Sequence, residues 1–355
     1  MLNRRALVLS GTASAVMGNL GRPVAAATPT VLLSLGELQV APVGIGTWAW
    51  GNRLLYGYST AEDAELESAF DALMSRGVPI LFDTADSYGT GDLAGRSELL
   101  LGRFSRQHPS GKNAVLATKL APYPSRLTAK SFVDAAKDSS GRLQRLPIDV
   151  AQAHWSTVGY APWQEGPLIE GLGQMQLQGV AKQVGVSNYG SRGLRRVHAS
   201  LSAMGVKLAS AQVQYSLLSR QAERSGLLEV AQELGVRVLA YSPLCLGLLT
   251  GRYDENNLPK GPRGVLFKSQ AKQVANLIGV LREVAASRGV SPSQVAINWT
   301  RARGALPIPG VRTRRQAQEA LQCLDFTLSA AEVAELDAAA ARCTVSATQN
   351  PFSSP

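Results

Sequence analysis

From residue 31 onward the chain alternates two kinds of segment. Short β-branched and aliphatic runs lie at 43–47, 79–82, 114–118, 149–153, 183–186, 208–213, 237–240 and 305–308. They lack strict alternation of apolar and polar positions, as expected of strands buried on both faces of a parallel sheet. Between them, apolar positions recur with helical period at about 61–75, 95–107, 128–145, 165–178, 190–203, 221–234, 270–289 and 314–324. Eight β/α units with no Pro/Ser-rich linker predict one domain over residues 30–345, an α/β TIM (β/α)8 barrel. Residues 31–40, centred on Gly36, predict a hairpin that caps the bottom of the barrel. Residues 329–341 open on Ser329 with Glu332 three positions on, a capping pair, and predict an extra C-terminal helix before a tail at 346–355. A doubly wound six-strand sheet is the competing fold. It needs a glycine-rich turn from the first strand straight into a helix, and Gly44-Ile45-Gly46-Thr47-Trp48 does not continue as that fingerprint.

Composition changes this picture at few points. With 355 residues, 45% of them hydrophobic, the chain can bury a full core. No apolar run reaches the roughly 18 uncharged residues of a membrane span. Cys245, Cys323 and Cys343 form no CxxC pair, so neither a disulfide framework nor a zinc ribbon is expected, and no metal. The net charge is +10, but the basic residues are scattered, without an aromatic-basic stripe or a zinc-finger signature. An anionic small ligand accounts for that charge more economically than a nucleic acid. A complete barrel without an obvious exposed apolar patch is expected to be a monomer.

The N-terminus reads differently. Arg4 and Arg5 precede a mildly apolar stretch and the cluster Ala25-Ala26-Ala27, with no acid among the first 27 residues. Residues 1–29 are expected to be a targeting segment or a tail outside the fold. These residues leave a plastid and an exported bacterial address both open, and a plain tail leaves a cytoplasmic location.

Chemistry in such a barrel gathers where the strands end. The second strand runs out into Phe82-Asp83-Thr84-Ala85-Asp86-Ser87-Tyr88-Gly89, the third into Ala117-Thr118-Lys119 and the fourth into Gln152-Ala153-His154-Trp155. Each candidate has an ordinary reading: Asp83 as a turn cap, Tyr88 as loop packing, Lys119 as a solvated strand end. Together those readings fare worse, because a lysine buried at a barrel mouth needs a carboxylate partner such as Asp83. A phenol with ordinary pKa near 10 can donate a proton to a developing alkoxide. Lys119 is expected to pull that pKa down, and His154 to hydrogen-bond the substrate oxygen. A carbonyl polarised in this way then needs an organic hydride donor.

At these residues the chain resembles the aldo-keto reductases, over about residues 31–345. The family's Asp, Tyr, Lys and His tetrad falls on Asp83, Tyr88, Lys119 and His154, within FDTADSYG, ATK and QAHW. GIGTWAWG, GVSNYG, AQVQYSLLSR, AYSPLCLGLLTGRY and PIPGVRTRRQAQEA resemble its cofactor segments, and the wording is most similar to plastid members, which implies the plastid as the address of residues 1–29. The resemblance implies NADPH-dependent reduction of an aldehyde or ketone to the alcohol. Tyr88 would be the general acid, Lys119 and Asp83 its tuning pair, and His154 the orienting donor. Ser187, Asn188 and Gln212 would hold the nicotinamide carboxamide and Tyr241 would stack on its ring. Ser242, Leu244 and Gly247 would line the pyrophosphate path, with Thr47, Arg252 and Gly310 also at the cofactor and Trp48 at the substrate mouth. Gln316 and Glu319 match adenosine contacts, whereas Ala320 stands where the family usually has an asparagine.

Arg312, Arg314 and Arg315 surround the start of the last barrel helix, where Thr313 can cap. Cations in a first helical turn oppose the dipole, so an anion such as a 2′-phosphate is expected among them. A nicotinamide-binding regulatory subunit with little turnover remains an alternative. So does a Schiff-base enzyme using Lys119, which a neighbouring Asp83 disfavours by keeping the amine protonated.

Overall fold

The structure, a computed structural model, describes residues 30–345; the segments expected at 1–29 and 346–355 lie outside the described residues. β1 (Leu33–Leu35) and β2 (Leu38–Val40) pair as an antiparallel hairpin. Eight parallel strands then follow in sequential order: β3 (Ile45–Gly46), β4 (Ile80–Asp83), β5 (Ala114–Leu120), β6 (Ile148–Ala153), β7 (Ala181–Ser187), β8 (Leu208–Gln214), β9 (Arg237–Tyr241) and β10 (Leu306–Ile308). The seam between first and last closes through the backbone. Gly44 N–H donates to the Pro307 carbonyl at 2.9 Å and Gly46 N–H to the Pro309 carbonyl at 2.9 Å. A side chain would obstruct this seam, since a Cβ on Gly44 would lie 3.0 Å from both the Leu81 carbonyl and the Ile308 side chain. The expected barrel and hairpin are both present.

The helices form the outer ring. α1 (Arg53–Tyr56) and α2 (Asp63–Met74) follow β3, and α3 (Arg96–Gln107), α4 (Ala129–Leu143), α5 (Pro162–Leu177) and α6 (Ser191–Ala203) follow the next four strands in turn. After β8 come α7 (Gln221–Arg224) and α8 (Leu227–Glu233); after β9, α9 (Pro262–Lys268), α10 (Ala275–Arg288) and α11 (Pro292–Ala302); after β10, α12 (Arg314–Gln322) and α13 (Ala330–Ala341). Ser329 caps α13 with Glu332 in the expected reciprocal box.

Two expectations about helices need correction. The single helix over 221–234 is broken, because Gly226 adopts a left-handed φ of 71° between α7 and α8. The helix expected at 270–289 is real but is not the one that covers the barrel. α11 packs on β10, while α10 packs outside it against α11 and α13. Residues 293–300 of α11 are buried all round, the polar Ser293, Gln294, Asn298 and Thr300 along with the apolar ones, so its polar positions do not mark a solvent face. Its start is written in the sequence nonetheless: Ser291 and Gln294 form a capping box, with Pro292 at the first helical position.

Side chains alternate in and out along each strand, so inward rows run up the barrel two residues at a time. The lower layers are apolar. Leu81, Val115, Ala117, Val150, Leu239, Leu306 and Ile308 pack there with Leu35 and Val40 of the hairpin, which plugs the bottom. Gly36, with φ 60° at the hairpin tip, sits so close beneath β7 that a Cβ would fall 1.9 Å from the Gln183 amide oxygen. Two or four residues further up, the same inward rows reach Asp83, Lys119, Gln152, Gln212 and Tyr241.

Candidate active site

Those upper rows bring the tetrad together. Asp83 ends β4 and Lys119 lies near the end of β5, at 2% and 1% exposure. The Lys119 ammonium pairs with Asp83 Oδ2 and donates to the Thr84 carbonyl at 2.8 Å. The other Asp83 oxygen accepts from Gln152 Nε2 at 3.0 Å and from Gln212 Nε2 at 2.7 Å, so three strands meet on one carboxylate. Tyr88 comes from the loop after β4, with Lys119 Nζ 4.8 Å from its ring centroid. That loop is pinned by Asp86, whose backbone N–H donates to the Lys119 carbonyl and whose carboxylate takes the Ala121 N–H at 3.1 Å and pairs with Arg126. His154 follows β6, its ring edge-on to Tyr88 at 5.8 Å.

The electrostatics follow from this burial. Taken alone, burial would lower the pKa of the Lys119 ammonium; Asp83 and the Tyr88 hydroxyl outweigh it and hold the amine above the ordinary lysine value. For Tyr88, burial is the largest influence and raises the phenol, Lys119 opposes it and Asp83 adds to it, leaving a net rise. The expected lowering by Lys119 is therefore present but outweighed, because a fully enclosed phenolate loses more hydration than one ammonium restores.

His154 is driven well below its ordinary value, first by burial and then by the Lys119 charge, so it is neutral at pH 7. Ser87 Oγ lies 3.2 Å from its Nδ1, and when that hydroxyl donates the ring proton resides on Nε2. A histidine held neutral when folded takes up a proton only on unfolding, so its contribution is complete above pH 6.5 and is lost as pH falls. Between pH 7 and pH 5 the wild type should lose about 2 kcal/mol more than His154→Gln. Urea unfolding at the two pH values reads this, and equal losses would contradict a buried neutral imidazole.

Tyr88, Lys119 and His154 line a cavity of about 430 Å³, together with Trp48, Trp155, Ser187, Asn188, Gln212 and Tyr241. Tyr241 donates to Asn188 Oδ1 at 2.8 Å, and Asn188, in the left-handed region at φ 64°, donates to the His154 carbonyl at 3.0 Å. A second cavity of about 290 Å³ shares Trp48, Tyr88, Gln212, Tyr241 and Ser242 with the first. It runs past Leu244, Gly247, Arg252, Gly310, Arg312 and Gln316. A third adjoins its far end, reaching Arg315, Glu319 and Ala320 at the start of α12. Thirteen of the fourteen expected cofactor residues thus line one continuous groove. Thr47 lines none of these cavities: it is fully buried, its hydroxyl donating to the Asp83 carbonyl at 2.9 Å and meeting Ser97 Oγ at 2.7 Å. It braces the Asp83 strand end.

Of the three arginines around the start of α12, where an anion is expected, two have a carboxylate partner within the protein. Arg312 pairs with Glu62 at 2.6 Å, the Arg314 N–H donates to Glu65 at 2.8 Å, and Arg315 pairs with Glu319. Two of these acids come from the segment around α2, some 250 positions away in the chain, and could not be assigned from local spacing. The cations without a carboxylate are elsewhere in the groove. Among the described residues Arg252 and Arg263 make no ion pair, and Arg263 Nε is buried with no hydrogen-bond partner. Arg263 was not singled out from the sequence. The signal was there: Gly261-Pro262-Arg263 puts a cation in the first turn of α9, where the dipole disfavours it. Ser87 and Gln152 were likewise not assigned a role, although both stand inside the tetrad strings. Of two tryptophans that follow β6, Trp155 lines the cavity, and Trp163 is 70% exposed and does not.

An eight-stranded parallel barrel with Asp, Tyr, Lys and His gathered at its carboxyl end defines a reductase-type site. The chain belongs to the Aldo/keto reductase family, whose model matches residues 42–341. It is 45% identical to pyridoxal reductase, chloroplastic, of Arabidopsis thaliana, covering 91% of this chain and 90% of that protein. Protein tas of Escherichia coli K12 is 28% identical, covering 85% and 94%. Among solved structures, the glycerol dehydrogenase of Gluconobacter oxydans matches with a TM-score of 0.74 at 23% identity, covering 91% and 97%. An aldo-keto reductase from Klebsiella pneumoniae in complex with NADPH matches at 0.67 and 24%, covering 91% and 98%. Both structures support the barrel fold.

Proposed function

We propose that this protein reduces an aldehyde to its alcohol with NADPH, and that the aldehyde is pyridoxal. The observation that carries the chemistry is the buried Lys119–Asp83 pair set against Tyr88 at the floor of a cavity. The substrate follows from the relative named pyridoxal reductase and from a cavity that suits a small aromatic ring: two tryptophans, no carboxylate at its walls, and room of about 430 Å³.

The groove fits a dinucleotide diphosphate. It is lined by Arg252, Arg263 and Arg312, and the buried, partnerless Arg263 Nε is the donor surplus an anionic ligand would relieve. Ser187, Asn188, Gln212 and Tyr241 would hold the nicotinamide end, Ser242, Leu244, Gly247, Arg252 and Gly310 the middle, and Arg312, Gln316 and Glu319 the adenosine. When bound, the reduced nicotinamide supplies the hydride. The protein's residues supply the rest. His154, neutral, donates to the substrate oxygen and orients the carbonyl; Tyr88, kept protonated by burial, delivers the proton; Lys119, kept charged by Asp83, stabilises the phenolate left behind. Trp48 and Trp155 exclude water from the ring's two sides. The plastid reading of residues 1–29 draws support from the same relative, which is named chloroplastic.

Following NADPH oxidation with pyridoxal, benzaldehyde and a small ketone tests the proposal. Pyridoxal should give the highest kcat/KM, and no turnover of any of them would end the reductase reading. In the same assay, Arg312→Gln should weaken NADPH about tenfold or more and NADH much less. Equal effects would mean that Arg312 serves only its ion pair with Glu62.

A further inference from the structure

The opposite end of the barrel holds a second, unrelated cavity of about 760 Å³. Three guanidinium groups line it: Arg237 at the start of β9, and Arg301 and Arg303 around the end of α11. The one carboxylate on its wall, Asp337 of α13, is already committed to three donors: it pairs with Arg303 and with Arg220 at 3.0 Å, and accepts from Trp299 Nε1 at 3.0 Å. Arg237 has no carboxylate partner among the described residues; its Nε donates to the Ser34 carbonyl at 3.2 Å.

Arg301 is held in place by one nitrogen. Its Nη1 donates to Asn298 Oδ1 and to the Cys323 and Phe326 carbonyls. Its Nε is buried without a partner, and its Nη2 makes no hydrogen bond among the described residues. Those two atoms form the guanidinium edge that receives a carboxylate side-on. Asn298, 2% exposed, spends its oxygen on Arg301, leaving Nδ2 buried and unpartnered, and Arg303 Nε is in the same condition. Burial lowers the pKa of both Arg237 and Arg301, as expected of cations short of counter-charge. The remaining wall is apolar, with Leu33, Leu328 and Val333.

We infer that this basal cavity binds a small organic carboxylate, its charged end against Arg237 and Arg301 and its apolar body against the hairpin and α13. The buried side-chain atoms left unpartnered at this wall, on Asn298, Arg301 and Arg303, are all donors, so an acceptor-only head group on an apolar body satisfies what the protein leaves open. The site lies at the end of the barrel away from Tyr88, so its occupancy is independent of the reductase proposal.

Titration calorimetry on the full chain, with and without NADPH, using benzoate and inorganic phosphate as probes, tests this. Benzoate should bind with NADPH present and more tightly than phosphate, and Arg237→Gln should weaken it about tenfold with aldehyde turnover unchanged. Arg301→Lys keeps the charge but removes the fork, and should weaken benzoate by a similar factor. No benzoate binding, wild-type affinity retained in both variants, or phosphate binding as tightly as benzoate would each overturn the inference. So would a benzoate effect seen only as competition with the aldehyde.

Discussion

Replacing Tyr88 by phenylalanine should lower kcat for aldehyde reduction by about 10²–10⁴-fold, the usual contribution of a positioned general acid. NADPH affinity should stay within a few-fold, because the substitution removes one neutral hydroxyl and leaves the groove arginines in place. His154 cannot replace it: burial and Lys119 hold that imidazole neutral, so it can polarise the carbonyl but carries no surplus proton at pH 7. The raised phenol adds a pH signature. Tyr88 stays loaded at least to its ordinary value near 10, so its ionisation should not limit the reduction between pH 6 and pH 9, whereas alcohol oxidation, which needs the phenolate, should climb through that range. Stopped-flow measurement of single turnovers in both directions reads each effect. Activity within tenfold of wild type in Tyr88→Phe would remove the residue from the acid role.

The other large effect lies one layer deeper. Asp83→Ala should cost about 3–5 kcal/mol of folding stability and most of the activity, since it strands a fully enclosed ammonium. The amides of Gln152 and Gln212 would lose their acceptor in the same step. Removing both charges is a different perturbation. The double variant Asp83→Ala, Lys119→Met should be less destabilised than the sum of its single changes, as the stranded charge is gone. Denaturant unfolding of the four proteins gives the coupling directly, and simple additivity would mean that the pair is not mutually dependent.

The tetrad is legible in the chain because each member sits at a strand end and the strands follow one another in order. Strand periodicity alone then sends Asp83, Lys119 and His154 into the barrel mouth. Arg312 and its neighbours are the contrary case. Their chemistry looks unbalanced in sequence, and Glu62, which pairs with Arg312, and Glu65, which accepts the Arg314 backbone N–H, belong to the first β/α unit and arrive only when the barrel closes. α11 escapes for another reason: its polar residues are buried along with its apolar ones, so its cap is the clearest mark of it. Thr47 stands in a motif that resembles a cofactor segment, yet its side chain turns to Asp83 and Ser97 rather than to the groove.

The sequence by itself determined the order of β/α units, the plug at the base of the barrel, the four groups proposed to carry the chemistry and most of the groove leading away from them. These depend on periodicity and on short motifs, both local properties of the chain. Only the tertiary structure decided how the groups are tuned and where charge is left over. Burial outweighs Lys119 at Tyr88, the counter-ion of Arg312 comes from the lead-in to α2, and unpaired donors sit at Arg263 and beneath the barrel at Arg301. Desolvation and long-range pairing set these outcomes, and both depend on which distant residues the closed barrel brings into contact.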